Sequence, residues 1–144
     1  MIVWRISKFA SLDGLGGTKI DGRWHSAGRP IVYTAEHPAL ALCEMLVHFN
    51  AEDMPVKFQL LQIEISDDPA KFLSTQLPEN WFRMPEYTQW LGDQWLAGNQ
   101  SSVLQVPSAL LPNTFNYLLN PARENHKFCK IIDVLQVPLD PRFR

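Results

Sequence analysis

The sequence predicts one mixed α+β domain. Three observations carry that reading. The chain has 144 residues, 46% of them hydrophobic and 19% charged, which suits a single globular core. Five apolar runs, rich in β-branched and aromatic residues and bounded by glycine, proline and polar turns, read as strands. Two further segments show helical spacing. No repeat, low-complexity tract or linker divides the chain, so 1–144 is expected to form one domain.

The first strand is IVWRI at 2–6. SLDGLGGTKIDG follows, with four glycines in the nine positions 14–22, and reads as a loop. Pro30 precedes IVYTA, a second strand. PALALCEMLVHF reads as a helix, with Pro38 in its first turn and His37 or Glu36 as N-cap. Leu42, Met45, Leu46 and Phe49 recur at helical spacing and are expected to face the core, while Glu44 and His48, four apart, share another side. VKFQLLQIEI at 56–65 alternates as a long strand. Residues 66–85 read as loop with one short helix. EYTQWLGDQWLAG at 86–98 reads as a second helix, with Trp90, Leu91 and Trp95 turned inward and Gly98 as its stop. SSVLQVP is a strand, and KIIDVLQVPL is the last one. Between them, PSALLPNTFNYLLNPARENHKF reads as a long segment punctuated by proline and asparagine.

Composition excludes several classes. The formal charge of -2 offers no broad basic face for nucleic acid. No apolar run approaches the ~20 residues of a membrane span. The apolar start MIVWRISKF is too short for a signal peptide and is broken by Arg5, so a cytoplasmic protein is expected. Cys43 and Cys129 match no metal or redox spacing, and Cys43, in an apolar run, reads as a buried thiol. The four histidines, His25, His37, His48 and His126, form no HExxH or short pair, so no metal site is expected. No GxSxG elbow supports a serine hydrolase. The glycine stretch lacks GxxxxGK[ST] and is followed by no helix pattern; it is either plain turn structure or a mobile loop beside a ligand.

Arg23, Tyr33 and Glu44 stand apart. Around Glu44, residues 39–47 are apolar apart from Cys43, which puts a carboxylate at the margin of a greasy helix. Buried carboxylates are costly unless paired or functional. The plain alternative is the exposed side of an amphipathic helix. Arg23 likewise has a surface ion pair as its plain reading, and Tyr33 a strand position.

In order along the chain, Gly22-Arg23-Trp24-His25-Ser26-Ala27-Gly28, Ile31-Val32-Tyr33-Thr34, Ala39-Leu40-Ala41 with Glu44 and His48, Val106-Pro107-Ser108 and Asn116-Tyr117-Leu118-Leu119-Asn120-Pro121 resemble the signature of the RES-domain proteins. Trp4-Arg5-Ile6 matches that family's opening strand, so the resemblance runs from residue 4 to about 135. It departs at His25, where the family pattern has asparagine, a change expected to retune a turn. It departs again at Ala122-Arg123, where relatives often carry histidine.

The resemblance implies an ADP-ribosyltransferase-like fold, two small packed sheets with flanking helices around a cleft for NAD. It implies the toxin half of a toxin–antitoxin pair, which consumes NAD by hydrolysis or phosphorolysis of the nicotinamide–ribose bond. Transfer of ADP-ribose to a protein is the alternative. It further implies an Xre-type helix-turn-helix antitoxin as partner, a dimer within a larger complex, no direct nucleic-acid or membrane contact and no metal. Carried over by position, Arg23, Tyr33 and Glu44 would form the catalytic core, with Arg5, Trp24, Ser108 and Asn116 binding the dinucleotide. Ser101 and Ser102 are rivals to Ser108.

Those side-chain types suit NAD. An arginine fork grips a pyrophosphate through charge-assisted bonds. Tyr33 or Trp24 can stack on a flat ring. Glu44 can stabilise positive charge on the ribose or orient a hydroxyl. A reading of another class remains, a catalytically silent interaction module docking through the 81–95 region that holds Trp81 and Trp95.

Overall fold

A computed structural model describes residues 1–65, 69–72, 74–123, 126 and 128–144. Its strands are β1 (Ile2–Ile6), β2 (Val32–Ala35), β3 (Lys57–Glu64), β4 (Ala70–Lys71), β5 (Val103–Pro107), β6 (Phe115–Leu119) and β7 (Lys130–Pro138). Two α-helices accompany them, α1 (Pro38–Leu46) and α2 (Pro85–Gly98). The mixed α+β architecture is as expected. The strands, however, join in one seven-stranded sheet, ordered β4-β5-β6-β2-β1-β3-β7, where two small sheets were expected. All neighbours run antiparallel except β4 and β5.

The expected division survives as a weak seam. β1 pairs with β3 through five register pairs and β2 with β6 through four, but β1 and β2 share only Trp4↔Ala35. The two main cores divide by sheet face, and one of them spans the seam. Val3, Leu61, Ile63 and Leu119 belong to a cluster on one face, and Trp24, Leu104, Val106 and Leu118 to another. β5 is buried along its whole length. Adjacent residues there, Val103 and Leu104, serve opposite clusters, as the two-residue period of a strand requires.

β6 lies inside the segment read as irregular. Its five residues, FNYLL, are flanked by turns that masked it in the sequence. In the fold it is central: Leu118 stands opposite both Tyr33 of β2 and Leu104 of β5. Of the segment at 66–85, residues 66–68 and 73 lie outside the described ones, as do 124, 125 and 127 near the C-terminus.

On both helices the fully buried residues differ from those their periodicity picks out, although Leu91 and Trp95 of α2 do pack against the core as expected. On α1 the buried residues are Leu40 and Ala41, packed near Ala35 with Trp4 and Ile6. Leu42, Met45 and Leu46 are only half-buried, and Phe49 is exposed beyond the helix end. His37 is the N-cap, its Nδ1 accepting from Ala39 N at 3.1 Å. On α2 the buried residues are Thr88, Gly92 and Leu96, whereas Trp90 is 56% exposed. Leu91 and Trp95 are half-buried. The helix ends at Gly98, as expected, but the left-handed residue that stops it is Asn99, at φ 50°.

The inward face of α2 is shaped by polar and small residues because it meets backbone. Thr88 Oγ1 donates to Arg23 O at 2.6 Å, and Gln89 Nε2 donates to Gly22 O at 2.9 Å. Asp93 Oδ1 accepts from Ser26 N at 2.9 Å. Between them Gly92 sits so close to the Trp24 carbonyl that a Cβ has no room. One helix face thereby holds the backbone of residues 22–26.

This contact is checked with two glycines of the same helix. Gly92→Ala must push α2 off the Trp24 backbone, and overpacking of this kind costs about 1–3 kcal/mol. A Cβ at Gly98 meets nothing within 4 Å, and its φ is not positive. Gly98→Ala should therefore be neutral or stabilising by roughly 0.4–1 kcal/mol. Urea denaturation of the two variants beside wild type measures the contrast.

Candidate functional site

A cleft of about 790 Å³ opens at the seam between β1 and β2. Trp4, Arg5 and Ile6 line it from β1, and Tyr33, Thr34 and Ala35 from β2. Strands that part leave backbone groups without ladder partners, and buried groups of that kind must find others. Arg5 supplies one: its Nη1 donates to Tyr33 O at 2.8 Å across the gap. Its Nε is buried and finds no acceptor among the described residues. Burial lowers the Arg5 pKa from its ordinary value, with the charge of Asp13 opposing that shift. A half-satisfied, desolvated guanidinium favours an anion.

Arg23 enters from the loop clamped by α2. Its Nη1 donates to Phe82 O at 2.9 Å, which fixes the guanidinium while leaving further N–H groups for a ligand. Trp24 also borders the cleft, but its ring is buried at 2% exposure between Phe72 and Trp81, with centroids 6.5 and 5.6 Å away. Those faces are taken by packing. Of the two rings expected to stack on a ligand, Tyr33 is the one left for it.

Tyr33 is held at its far end. Its hydroxyl accepts from Trp24 N at 3.1 Å and lies 2.7 Å from His25 Nδ1. His25 Nε2 lies 2.9 Å from Gly17 O. Burial, more than any other cause, pushes the Tyr33 pKa well above the ordinary tyrosine value; the bond from Trp24 N and the charge of Arg23 oppose it, and Asp93 adds to it.

Glu44 sits on α1 with Ala41 and Met45, and these line the same cleft as His48, in the turn just past the helix end. The exposed-face reading of Glu44 is thus only half right: it is half-buried, and it faces the cleft. Ser108, just beyond β5, donates its Oγ proton to Glu44 Oε1 at 3.1 Å and accepts from Leu110 N at 3.1 Å. Ser108 is buried behind the carboxylate and does not itself line the cleft. Its rivals lie at the opposite end of β5, roughly 20–23 Å away at a strand rise of about 3.3 Å per residue. There Ser101 Oγ accepts from Trp95 Nε1 at 2.8 Å, and Ser102 O accepts from Asn120 N at 2.9 Å. Asn116 lines the cleft with its Nδ2 donating to Thr34 O at 3.2 Å.

The fold thus gathers Arg5, Arg23, Tyr33, Glu44 and Asn116 on one cleft, with Ser108 behind it and the Trp24 ring withdrawn into the core. His25 and Gln89 were not singled out as site residues, and both border it. The glycine loop supplies a wall through Gly16, Gly17, Ile20, Asp21 and Gly22. Among the described residues no three histidine, cysteine, aspartate or glutamate side chains cluster so as to hold a metal ion. No helix among them is long and apolar enough to cross a membrane.

The model of the RES domain family matches residues 2–140. The chain belongs to the RES domain family. A RES-domain relative in Pseudomonas putida, named Toxin Res, is 44% identical over 133 residues, covering 91% of this chain and 92% of its own. Another in a Sphingobium species, named Prs ADP-ribosylating toxin, is 33% identical over 150-odd residues, covering 96% of this chain and 94% of its own. Among solved structures, the M. tuberculosis MbcT–MbcA toxin–antitoxin complex contains a chain of the same fold. It aligns with TM-score 0.75 at 16% identity, over 98% of this RES domain and 85% of that chain.

The raised Tyr33 pKa makes stability fall at alkaline pH. The fold keeps the phenol protonated, so its contribution is full below the unfolded value of 10.0 and declines as pH rises beyond it. Unfolding midpoints in urea at about pH 9 and about pH 11 should therefore drop less for Tyr33→Phe than for wild type. An equal drop would mean that Tyr33 ionises freely in the fold.

Proposed function

We propose that this RES-domain protein is the toxin of a toxin–antitoxin pair and that it cleaves the nicotinamide–ribose bond of NAD. The observation that carries the proposal is one cleft lined by a fixed carboxylate, Glu44, and two arginines, one of which has a buried N–H without an acceptor among the described residues. The cleft volume falls within the roughly 300–1,000 Å³ of small-molecule sites. The names of the relatives in Pseudomonas putida and Sphingobium support a toxin, and the latter supports ADP-ribose chemistry.

The residues divide the work. Arg5 and Arg23 bind the pyrophosphate by charge-assisted hydrogen bonds. The Tyr33 ring packs on a flat ring of the substrate. Nicotinamide in NAD is a cation, so when its bond to the ribose breaks the electron pair departs with it and the base leaves neutral. No general acid is needed. Positive charge develops on the ribose as an oxocarbenium-like centre, which the Glu44 carboxylate stabilises. Ser108 directs that carboxylate by holding Oε1. Water adding to the sugar releases one proton and gives ADP-ribose; phosphate gives ADP-ribose phosphate.

Transfer to a protein acceptor is the second reading, favoured by the Sphingobium relative's name. It uses the same cleft with another nucleophile, and product analysis distinguishes the three. A silent docking module is disfavoured, because Trp81 is buried and Trp95 is tied to Ser101. The toxin–antitoxin complex of the same fold supports a neutralising partner. We assign that role to an Xre-type antitoxin which inserts a segment near Arg23, within a complex containing a toxin dimer. A co-purified complex that bound NAD as well as the free protein does would contradict occlusion.

Glu44→Gln keeps the side chain's size and removes its charge. Turnover of NAD should fall about 10²–10³-fold with NAD affinity little changed, because the lost interaction exists mainly in the transition state. Arg23→Ala should instead weaken NAD binding itself. Calorimetric affinity, turnover and melting of both variants test this. Near-normal turnover of a folded Glu44→Gln protein would sink the catalytic role.

A further inference from the structure

His25 is 2% exposed and engages both ring nitrogens. Gly17 O can only accept, so Nε2 must carry the ring proton. In the singly protonated ring Nδ1 offers a lone pair to which the Tyr33 hydroxyl donates. Trp24 N–H donates to the same Tyr33 oxygen. In that arrangement the hydroxyl proton of Tyr33 is committed within the protein and is not directed at a ligand.

The glycine loop closes on this pair at both ends. At Gly17 a Cβ would press on Ile31 Cγ2 at 2.6 Å and His25 Nε2 at 3.1 Å. At Gly22 it would collide with the Tyr33 hydroxyl. Between these points Ile20 is 72% exposed and lines the cleft. Two independent close approaches thus converge on one histidine–tyrosine pair.

We infer that His25 is a positioning residue that couples the glycine-loop wall of the cleft to Tyr33, so that Tyr33 serves the substrate through its ring and not through its hydroxyl. The inference rests on the NAD reading for its catalytic consequence. The turn-retuning expected of histidine at this position understates it, because the imidazole bridges two walls of the site.

The two bonds can be cut separately. Asparagine places its amide near the Nδ1 position, and glutamine places its amide near the Nε2 position. His25→Asn should keep the bond to Tyr33 and release the loop. Trypsin should then cleave after the exposed Lys19 faster than in wild type, and KM for NAD should rise about tenfold with kcat nearly kept, the signature of lost uniform binding. His25→Gln should keep the loop and free Tyr33. Cleavage after Lys19 should stay at the wild-type rate while kcat falls, up to about 10²-fold for a misplaced group. Nitrogen-15 spectra of histidine-labelled wild type should show His25 as the neutral Nε2–H form. Two variants that lose kcat, KM and proteolytic resistance alike would reduce His25 to a fold-stabilising residue, and an Nδ1–H or doubly protonated ring would overturn the coupling. Wild-type protein that leaves NAD intact would overturn the NAD reading instead, with the spectrum and the proteolysis still deciding the coupling.

Discussion

The single register pair between β1 and β2 is the constraint on which the site depends. A fully zipped ladder there would bring the two strands together along their length and leave no cleft. Parting them exposes peptide groups, and Arg5 reaches across to take the Tyr33 carbonyl. The same side chain that closes the backbone account therefore brings a positive charge to the floor of the cleft. Replacing it with an apolar residue would orphan a carbonyl and remove an anion's partner in one step.

The loop that carries Arg23 has little regular structure of its own, so its position has to be imposed from outside. α2 does this with a face of Thr88, Gln89, Gly92 and Asp93, three polar groups around a glycine. A helix face built to grip backbone cannot be greasy, which is why the apolar stripe of α2 misleads. Trp90 belongs to that stripe and lies in solvent, while the buried positions hold Thr88 and Gly92. The apolar residues of α1 mislead for a related reason. Its positions Ala41, Glu44 and Met45, with His48 just past its end, face the cleft and not the core, so hydrophobic periodicity does not mark them as the inner face.

Legibility in the sequence followed the same logic. Strands β1, β2, β3, β5 and β7 were readable because alternation and β-branched runs report local burial. β6 was not, since five residues between turns give too short a pattern, and its centrality comes from long-range pairing with β2 and β5. The order of GRW, Tyr33, Glu44, Ser108 and Asn116 along the chain pointed to one site, and those side chains do converge, except the Trp24 ring. That exception is physical. An aromatic next to a needed arginine can serve packing, and only the positions of Phe72 and Trp81 reveal which. His25 stood in the quoted motif, yet nothing in one dimension says that its two nitrogens face Gly17 and Tyr33.

The fixed groups in this cleft share a pattern. Ser108 takes one oxygen of Glu44, Phe82 O one nitrogen of Arg23, Tyr33 O one nitrogen of Arg5, and His25 the hydroxyl of Tyr33. Each functional side chain gives up part of its bonding capacity to a neighbour, and the rest is directed where a ligand would lie. Such preorganisation sets the orientation of charge in advance, which is the condition for electrostatic stabilisation without reorganisation. Arg5 Nε is the exception, buried with no acceptor among the described residues. An unsatisfied donor of this kind costs about 1–3 kcal/mol in an isolated protein. An anion accepting from that N–H would offset the cost, so the unsatisfied donor favours an anionic ligand at the seam.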